Sequence, residues 1–515
     1  MTYNGTTIIS SQRLELKFLK HSQTCIFNGN WYTIRSPLLT KVTNDMNLAD
    51  FFTHSKSLLK LTYPILIAQL IQNLMGFVDI VMAGRVSATD LAAVAVANSI
   101  WLPLILTIYG LIMALSAIVS QLAGGGKYTD IVEQTYQTAW IALVLGIALI
   151  GLYYLLTPII APMVTLDGNL ETLMFDYLGF IVWGAPGYCL YLVLRNYSEG
   201  LSYTKPTMVI SIIGLLVNIP ANYIFIYGKF GMPALGGAGC GLATALVFWS
   251  MLISMLIYCF YSKVLKQVNL FSAFYWPVWT EIKGILALGI PIALSLLFEV
   301  SLFAIVAIIL VPFGSQVVAS HQVALNFTGL VFMVPLSIAM ATTIKVGFAI
   351  GNKNFKQARD YTMYSILLGL ALACITALIT VLFRTQIAGI YSTEAPVIEL
   401  AASLMLLATI YQFSDTIQVV SAGALRGYKD TKSILYITFV SYWLVGLSVG
   451  LILGITDWLV PKMGPYGFWI GFIVGLTTAA ILLAWRLKVI QQRIKNSELL
   501  LEGKNQEDDN QATQA

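Results

Sequence analysis

The stretch from Leu61 to Gly84, LTYPILIAQLIQNLMGFVDIVMAG, constrains this chain more than any other. It is a long apolar run holding one proline, Pro64, and one acid, Asp79. At roughly 1.5 Å of rise per residue, a helix of this length crosses a bilayer core of about 30 Å. A carboxylate inside such a segment is costly even on lenient insertion scales, so Asp79 needs a reason. It either reaches the headgroups or serves as a cation or proton site inside a helix bundle. The second reading is taken here.

The stretch returns later in the chain. Pro64 aligns with Pro291, Met113 with Met340, Gly124 with Gly351, Gly200 with Gly427 and Lys205 with Lys432, each pair 227 residues apart. A long-range repeat in a membrane protein is a signature of transporter folds. Composition agrees: 58% of the residues are apolar and 10% charged, with a mean hydropathy of +0.80. Soluble domains carry about 25% charged residues, so this is an integral membrane protein.

Apolar periods and breakers predict twelve helices, over 58–84, 89–122, 130–157, 170–198, 206–228, 238–262, 281–311, 315–350, 357–384, 397–425, 432–455 and 465–488. The breakers include Gly124-Gly125-Gly126, Thr157-Pro158, Lys205-Pro206 and Pro312-Phe313-Gly314. With an even number of helices both termini share one side. From residue 50 onward, one side holds only Arg85, Lys229, Arg384 and Lys462. The other holds the remaining basic residues, Arg195 and Arg426 among them. That bias places both termini in the cytoplasm and accounts for the net charge of +5 without nucleic acid. Each half has six helices, so the halves are parallel repeats about an axis along the membrane normal.

The expected organisation has five parts. Residues 1–52 are a cytoplasmic tail, or sequence ahead of a true start near Met46. Residues 53–262 form a first lobe and 281–490 a second, joined by a cytoplasmic linker, 263–280, whose Trp276 and Trp279 suit a membrane interface. Residues 491–515 read as a disordered cytoplasmic tail, with Glu507-Asp508-Asp509-Asn510 in it.

The chemistry-bearing residues are few. Three acids lie well inside apolar segments: Asp79, Glu299 and Asp415. Two carboxylates facing one cavity do not comfortably both ionise alone, so Glu299 and Asp415 together would hold a cation or a proton. Tyr411 precedes Asp415 by four residues and shares its helical face. Its hydroxyl would complete an oxygen site suited to Na⁺. Asn218 and Asn222, also four apart with Pro220 between them, are the candidate partners of Asp79. Gln69, Gln72 and Asn73 would line the same interior. His321 reads as a helix-packing histidine rather than a proton relay. The Arg426-Gly427 stretch reads as a hinge and orientation signal at a cytoplasmic helix end.

Other classes are disfavoured. The five cysteines form no C-x-x-C pair, and four fall in apolar segments, as buried free thiols do. The three histidines make no H-E-x-x-H and no ligand cluster, so no resident metal and no cofactor is expected. Gly124-Gly125-Gly126-Lys127 is followed by Tyr128 where a phosphate loop needs Ser or Thr. An intramembrane enzyme would need a paired nucleophile and base, which the sequence lacks.

At these residues the chain resembles the multidrug and toxic compound extrusion (MATE) family, its bacterial NorM-like branch above all. The matching stretches are GFVDIVMAGRVSATDLAAVAVANSIWLP, EGLSYTKPTM, NIPANYIFIYGKFGMPALGGAGCG, LLFEVSLFA and LRGYKDTK. They span about residues 50 to 490. The resemblance implies an all-α polytopic fold, a V-shaped pair of six-helix lobes. It implies antiport, with cationic and amphipathic drugs exported in exchange for Na⁺ or H⁺, and Na⁺ is the choice here. It maps the family's ion-site acids onto Asp79, Glu299 and Asp415, its tyrosine onto Tyr411 and its asparagine onto Asn218. Asn222 departs from relatives that carry a second acid there. A monomer in a bacterial inner membrane is expected, with small organic cations and the lipid bilayer as partners. A lipid-linked oligosaccharide flippase has related architecture, but would favour a cavity rich in Arg and Lys.

Overall fold

Twelve helices among the described residues are long and apolar enough to cross a membrane. They are α1 (Phe51–Gly84), α2 (Ala88–Gly124), α3 (Tyr128–Met163), α4 (Asn169–Gly200), α5 (Lys205–Tyr227) and α6 (Ala238–Tyr261) in the first half. The second half has α7 (Trp279–Phe313), α8 (Ser315–Gly351), α9 (Phe355–Tyr391), α10 (Ala395–Gly427), α11 (Thr431–Ile455) and α12 (Pro465–Ser497). The structure, a computed structural model, describes residues 17–19, 22–27, 30–33, 48–163, 169–263, 265 and 268–514. Side chains are described from residue 51 to residue 497.

The chain divides into two units, Met1–Lys56 and Ser57–Ala515. In the first, three strands, β1 (Lys17–Leu19), β2 (Ser22–Phe27) and β3 (Asn30–Thr33), pair antiparallel in the order β1-β2-β3. The rest of the expected N-terminal tail, including the supposed start near Met46, lies outside the described residues. The second unit holds the membrane helices and is all-helical.

The predicted spans match helix for helix, and the ends differ for physical reasons. Thr157-Pro158 does not stop α3, because Pro158 sits inside a helix that continues to Ile160. At a helix end the carbonyls freed by a proline find local partners, so proline need not break a membrane helix. At the C-terminus, the helix that begins at Pro465 runs on to Gln514. The stretch expected as a disordered tail is therefore helical through that residue. Its Glu, Lys, Gln and Leu residues lose little rotamer freedom in a helix.

The repeat extends to backbone conformation. Gly126 (φ 71°) after α2 corresponds to Lys353 (φ 55°) after α8, and Ser202 (φ 69°) after α4 to Lys429 (φ 60°) after α10. Each left-handed residue lets the next amide reach back five residues. Lys127 N donates to Leu122 O and Asn354 N to Ala349 O. Tyr203 N donates to Ser198 O and Asp430 N to Leu425 O, all at 2.9 Å. These six-to-one closures cap the helices by satisfying carbonyls of the last turn within the backbone.

Each lobe has its own core. The first gathers Trp101, Leu115, Tyr177, Tyr191 and Tyr197 from α2 and α4. The second gathers Leu302, Tyr411, Tyr442, Trp469 and Phe472 from α7, α10, α11 and α12. Lipid is as apolar as leucine, so close van der Waals approach drives this packing. Gly446, Gly450 and Gly454 on α11 face Gly467, Gly471 and Gly475 on α12. A Cβ on Gly471 would lie 2.7 Å from Gly450 Cα. A π-helical turn, Val440–Gly446, widens α11 beside α7, where Trp443 Nε1 donates to Phe298 O at 3.3 Å.

The lobes meet in the later part of α2 and the later part of α8. Gly124 packs so close that a Cβ would fall on the Phe348 carbonyl, and Gly351 so close that one would fall on the Gln121 carbonyl. Gln121 Nε2 donates to Gly427 O at 2.7 Å. Higher on the same seam, Gly110 abuts Ala293 and Gly289 abuts Leu111. From this seam the lobes spread into a V around a cavity.

Candidate functional site

Asp79, near the end of α1, is 5% exposed. Its Oδ1 accepts from Asn218 Nδ2 at 2.9 Å and from Asn222 Nδ2 at 2.6 Å, and its Oδ2 accepts from Thr244 Oγ1 at 3.2 Å. The helical spacing of the two asparagines puts both amides on one face of α5. Pro220 between them lies inside the helix. Donors to both oxygens stabilise the ionised carboxylate. Asn218 Oδ1 and Asn222 Oδ1 are buried and accept nothing. A cation drawn to Asp79 would find those two amide oxygens beside it. The expected cluster is thus assembled, and Thr244 of α6 joins it. An isolated hydroxyl in an apolar segment gave the sequence no signal for Thr244.

Asp79 and Asn218 line a cavity of about 590 Å³ between the lobes, whereas Asn222, fully buried, stands behind them. Gln69, Gln72 and Asn73 of α1 line it as well. On the opposite wall the same cavity is lined by Glu299 of α7 and by Tyr411 and Asp415 of α10. Asp415 is 6% exposed and Glu299 half-buried. Neither carboxylate has a hydrogen-bond partner among the described residues. Their oxygens face the cavity rather than the protein. Trp101, Tyr109, Phe248, Phe303 and Phe332 supply aromatic wall between the acids, a surface that attracts organic cations through ring faces.

His321 is not part of this wall. It is fully buried, and Trp469 Nε1 donates to its Nδ1 at 3.1 Å. Cys189, Cys240 and Cys259 are buried free thiols, while Cys374 is exposed on α9. Arg195 and Arg426, read from the sequence as groups at the cytoplasmic face, are instead buried in the bundle, 1% and 6% exposed. Arg195 lines the cavity floor and its Nε donates to Glu199 Oε1 at 2.8 Å. Its guanidinium also stands 5.8 Å from the centre of the Tyr109 ring. The pair was readable: Glu199 follows Arg195 by one helical turn, and burial of either alone is prohibitive.

The match to known proteins follows this geometry. The MatE family model covers residues 64–224 and 291–452, one copy in each lobe. The chain belongs to the MATE family. Multidrug resistance protein MdtK of Yersinia enterocolitica is 51% identical over 443 residues, 86% of this chain and 97% of that protein. MdtK of Yersinia pseudotuberculosis is 50% identical over the same length. Among solved structures, the eukaryotic MATE transporter AtDTX14 superposes with a TM-score of 0.78 at 19% identity, over 87% of this chain and 99% of that one. An outward-facing multidrug resistance MATE transporter superposes with a TM-score of 0.78 at 20% identity, over 86% and 97%. At such identity the structures establish the fold alone. The MATE fold explains why eight acidic and amide side chains, from α1, α2, α5, α7 and α10, converge on one cavity. This MATE protein is a multi-pass membrane protein and a transporter, not an enzyme.

Proposed function

We propose that the protein exports cationic and amphipathic drugs in exchange for an inward-moving cation, Na⁺ in the first instance. The observation that carries this reading is the cavity wall. Asp79, Glu299 and Asp415 face one largely apolar, aromatic space, and Arg195, at its floor, is already neutralised by Glu199. Such a space favours cations with apolar bodies. It suits the pyrophosphate of a lipid-linked oligosaccharide poorly. Relatives half identical to this chain are named multidrug resistance proteins.

Glu299, Asp415 and the Tyr411 hydroxyl supply the oxygens for the coupling cation, while Asp79 with Asn218 and Asn222 forms a second acidic station in the first lobe. A hard cation such as Na⁺ suits these ligands. Bound drug and bound ion compete for one negative field, so ion binding from outside favours drug release there. Residues 53–262 and 281–490 then act as two lobes that rock about the seam, with 263–280 as the cytoplasmic link. The protein works as a monomer in a bacterial inner membrane, both termini in the cytoplasm.

Transport of a fluorescent organic cation into everted membrane vesicles tests the reading. Uptake should rise when a Na⁺ gradient is imposed at fixed pH. A response to a proton gradient alone would replace Na⁺ by H⁺, and no gradient response at all would overturn antiport.

A further inference from the structure

Arg426, in the last turn of α10, is buried yet pairs with no carboxylate among the described residues. Its Nη1 donates to Met113 Sδ of α2 at 2.7 Å, across the boundary between lobes, and its Nε donates to Ala422 O at 3.3 Å. A thioether is a weak acceptor, and the carboxylate whose field reaches the guanidinium, Glu299, makes no hydrogen bond or ion pair with it, so the charge is offset only at a distance. The first lobe differs. The residue 227 positions earlier is Glu199, which neutralises Arg195. The repeat therefore places one hydrogen-bonded ion pair and, among the described residues, one arginine without an ion-pair partner where the lobes join.

Its position is between cavity and seam. Met113 lines the cavity floor. The residue after Arg426, Gly427, accepts the Gln121 amide across the lobes, and beyond it Gly124 and Gly351 close the joint. Asp415 lies eleven residues earlier on α10, on nearly the same face and about 16 Å up the helix. The acids lower the energy of a cation inside the cavity, and nothing in that attraction stops it from slipping through the seam to the far side. An uncoupled crossing would dissipate the gradient that drives export.

We propose that Arg426 is an electrostatic barrier: its fixed charge keeps cations gathered by the acids from leaking through the closed seam, so that they cross only when the lobes move. This rests on the reading that Glu299 and Asp415 hold the coupling cation. A unit charge about 10 Å from a passing monovalent cation, at the effective dielectric of a protein interior, slows its crossing by roughly tenfold. Arginine keeps this charge at every physiological pH. Pores exclude cations by the same device, an arginine at a constriction.

The test uses the full chain in proteoliposomes, without drug, under an inside-negative potential. Radiolabelled sodium, a pH-sensitive dye and radiolabelled sucrose report the leak of Na⁺, protons and a neutral solute. The wild type should be tight to all three. Arg426→Gln should raise cation leak roughly tenfold with sucrose unchanged, and Arg426→Lys should stay tight. Met113→Glu, which sets a carboxylate against the intact guanidinium, should leak as Arg426→Gln does, and it serves if Arg426→Gln fails to insert. Glutamine and glutamate variants as tight as wild type would overturn the barrier. So would a leak that admits sucrose or appears equally in Arg426→Lys, since either marks a mechanical plug. Cation-driven drug exchange by the wild type in the same vesicles is scored separately. Its absence removes the coupling reading, while the leak still decides the role of Arg426.

Discussion

Asp79 and Asp415 line one cavity but meet it in opposite conditions: three side chains donate to Asp79, and none among the described residues donates to Asp415. The repeat does not relate them. The position equivalent to Asp415 in the first half is Tyr188, and that equivalent to Glu299 is Gln72; both also line the cavity. The two lobes share a scaffold and distribute their acids differently. Asp79 is held in place by its neighbours, whereas Glu299 and Asp415 keep their oxygens available.

Asn222→Ala should cost about 1.5–3 kcal/mol of stability, because it removes a hydrogen bond of 2.6 Å to a buried carboxylate. Thermal unfolding in detergent checks this. Adding Asp79→Asn should recover part of the loss, since a neutral amide tolerates fewer donors. An Asn222→Ala protein as stable as wild type would mean that the bond contributes nothing.

Gly351→Ala should disfavour the arrangement in which the seam is closed, by about 1–3 kcal/mol, because its Cβ would meet the Gln121 carbonyl. The readout is thiol labelling of Ser120→Cys, a seam position fully buried here. Labelling should be faster with Gly351→Ala present. An unchanged rate would show that the joint yields without opening.

Much of this fold was legible because membrane helices must satisfy their own backbone and must be long. Twelve apolar runs and one constant repeat spacing therefore named the architecture. The pairing of Asp79 with Asn218 and Asn222 followed from the cost of a lone buried acid and from helical spacing. What stayed hidden depends on which helices touch. Thr244 carries no charge that demands explanation. Arg426 looked like an orientation signal because it stands at a helix end, and only the approach of α2 shows that the end is buried between lobes. The glycines of α11 and α12 lie four residues apart in each helix, yet their facing one another is a tertiary fact.

Orientation is open to a direct check. A cysteine substituted beside Lys353, in the turn after α8, should resist an impermeant thiol reagent added to intact cells and react once the membrane is opened. Labelling in intact cells would put the termini outside and reverse the direction of transport.

Glu299→Gln and Asp415→Asn should each abolish drug export while leaving protein levels in the membrane near normal. The amides keep size and hydrogen bonding but lose the charge that draws the cation. Export by the double mutant at the wild-type rate would remove both acids from the coupling mechanism.

Release of bound drug by Na⁺ at constant pH tests the coupling of ion to drug most directly. Purified protein loaded with a fluorescent organic cation should release it as Na⁺ is added, and K⁺ at the same ionic strength should not substitute. Both Glu299→Gln and Asp415→Asn should bind the dye yet fail to release it on Na⁺ addition. Equal release from wild type and both variants, or none from the wild type, would contradict the exchange of drug and cation at these carboxylates.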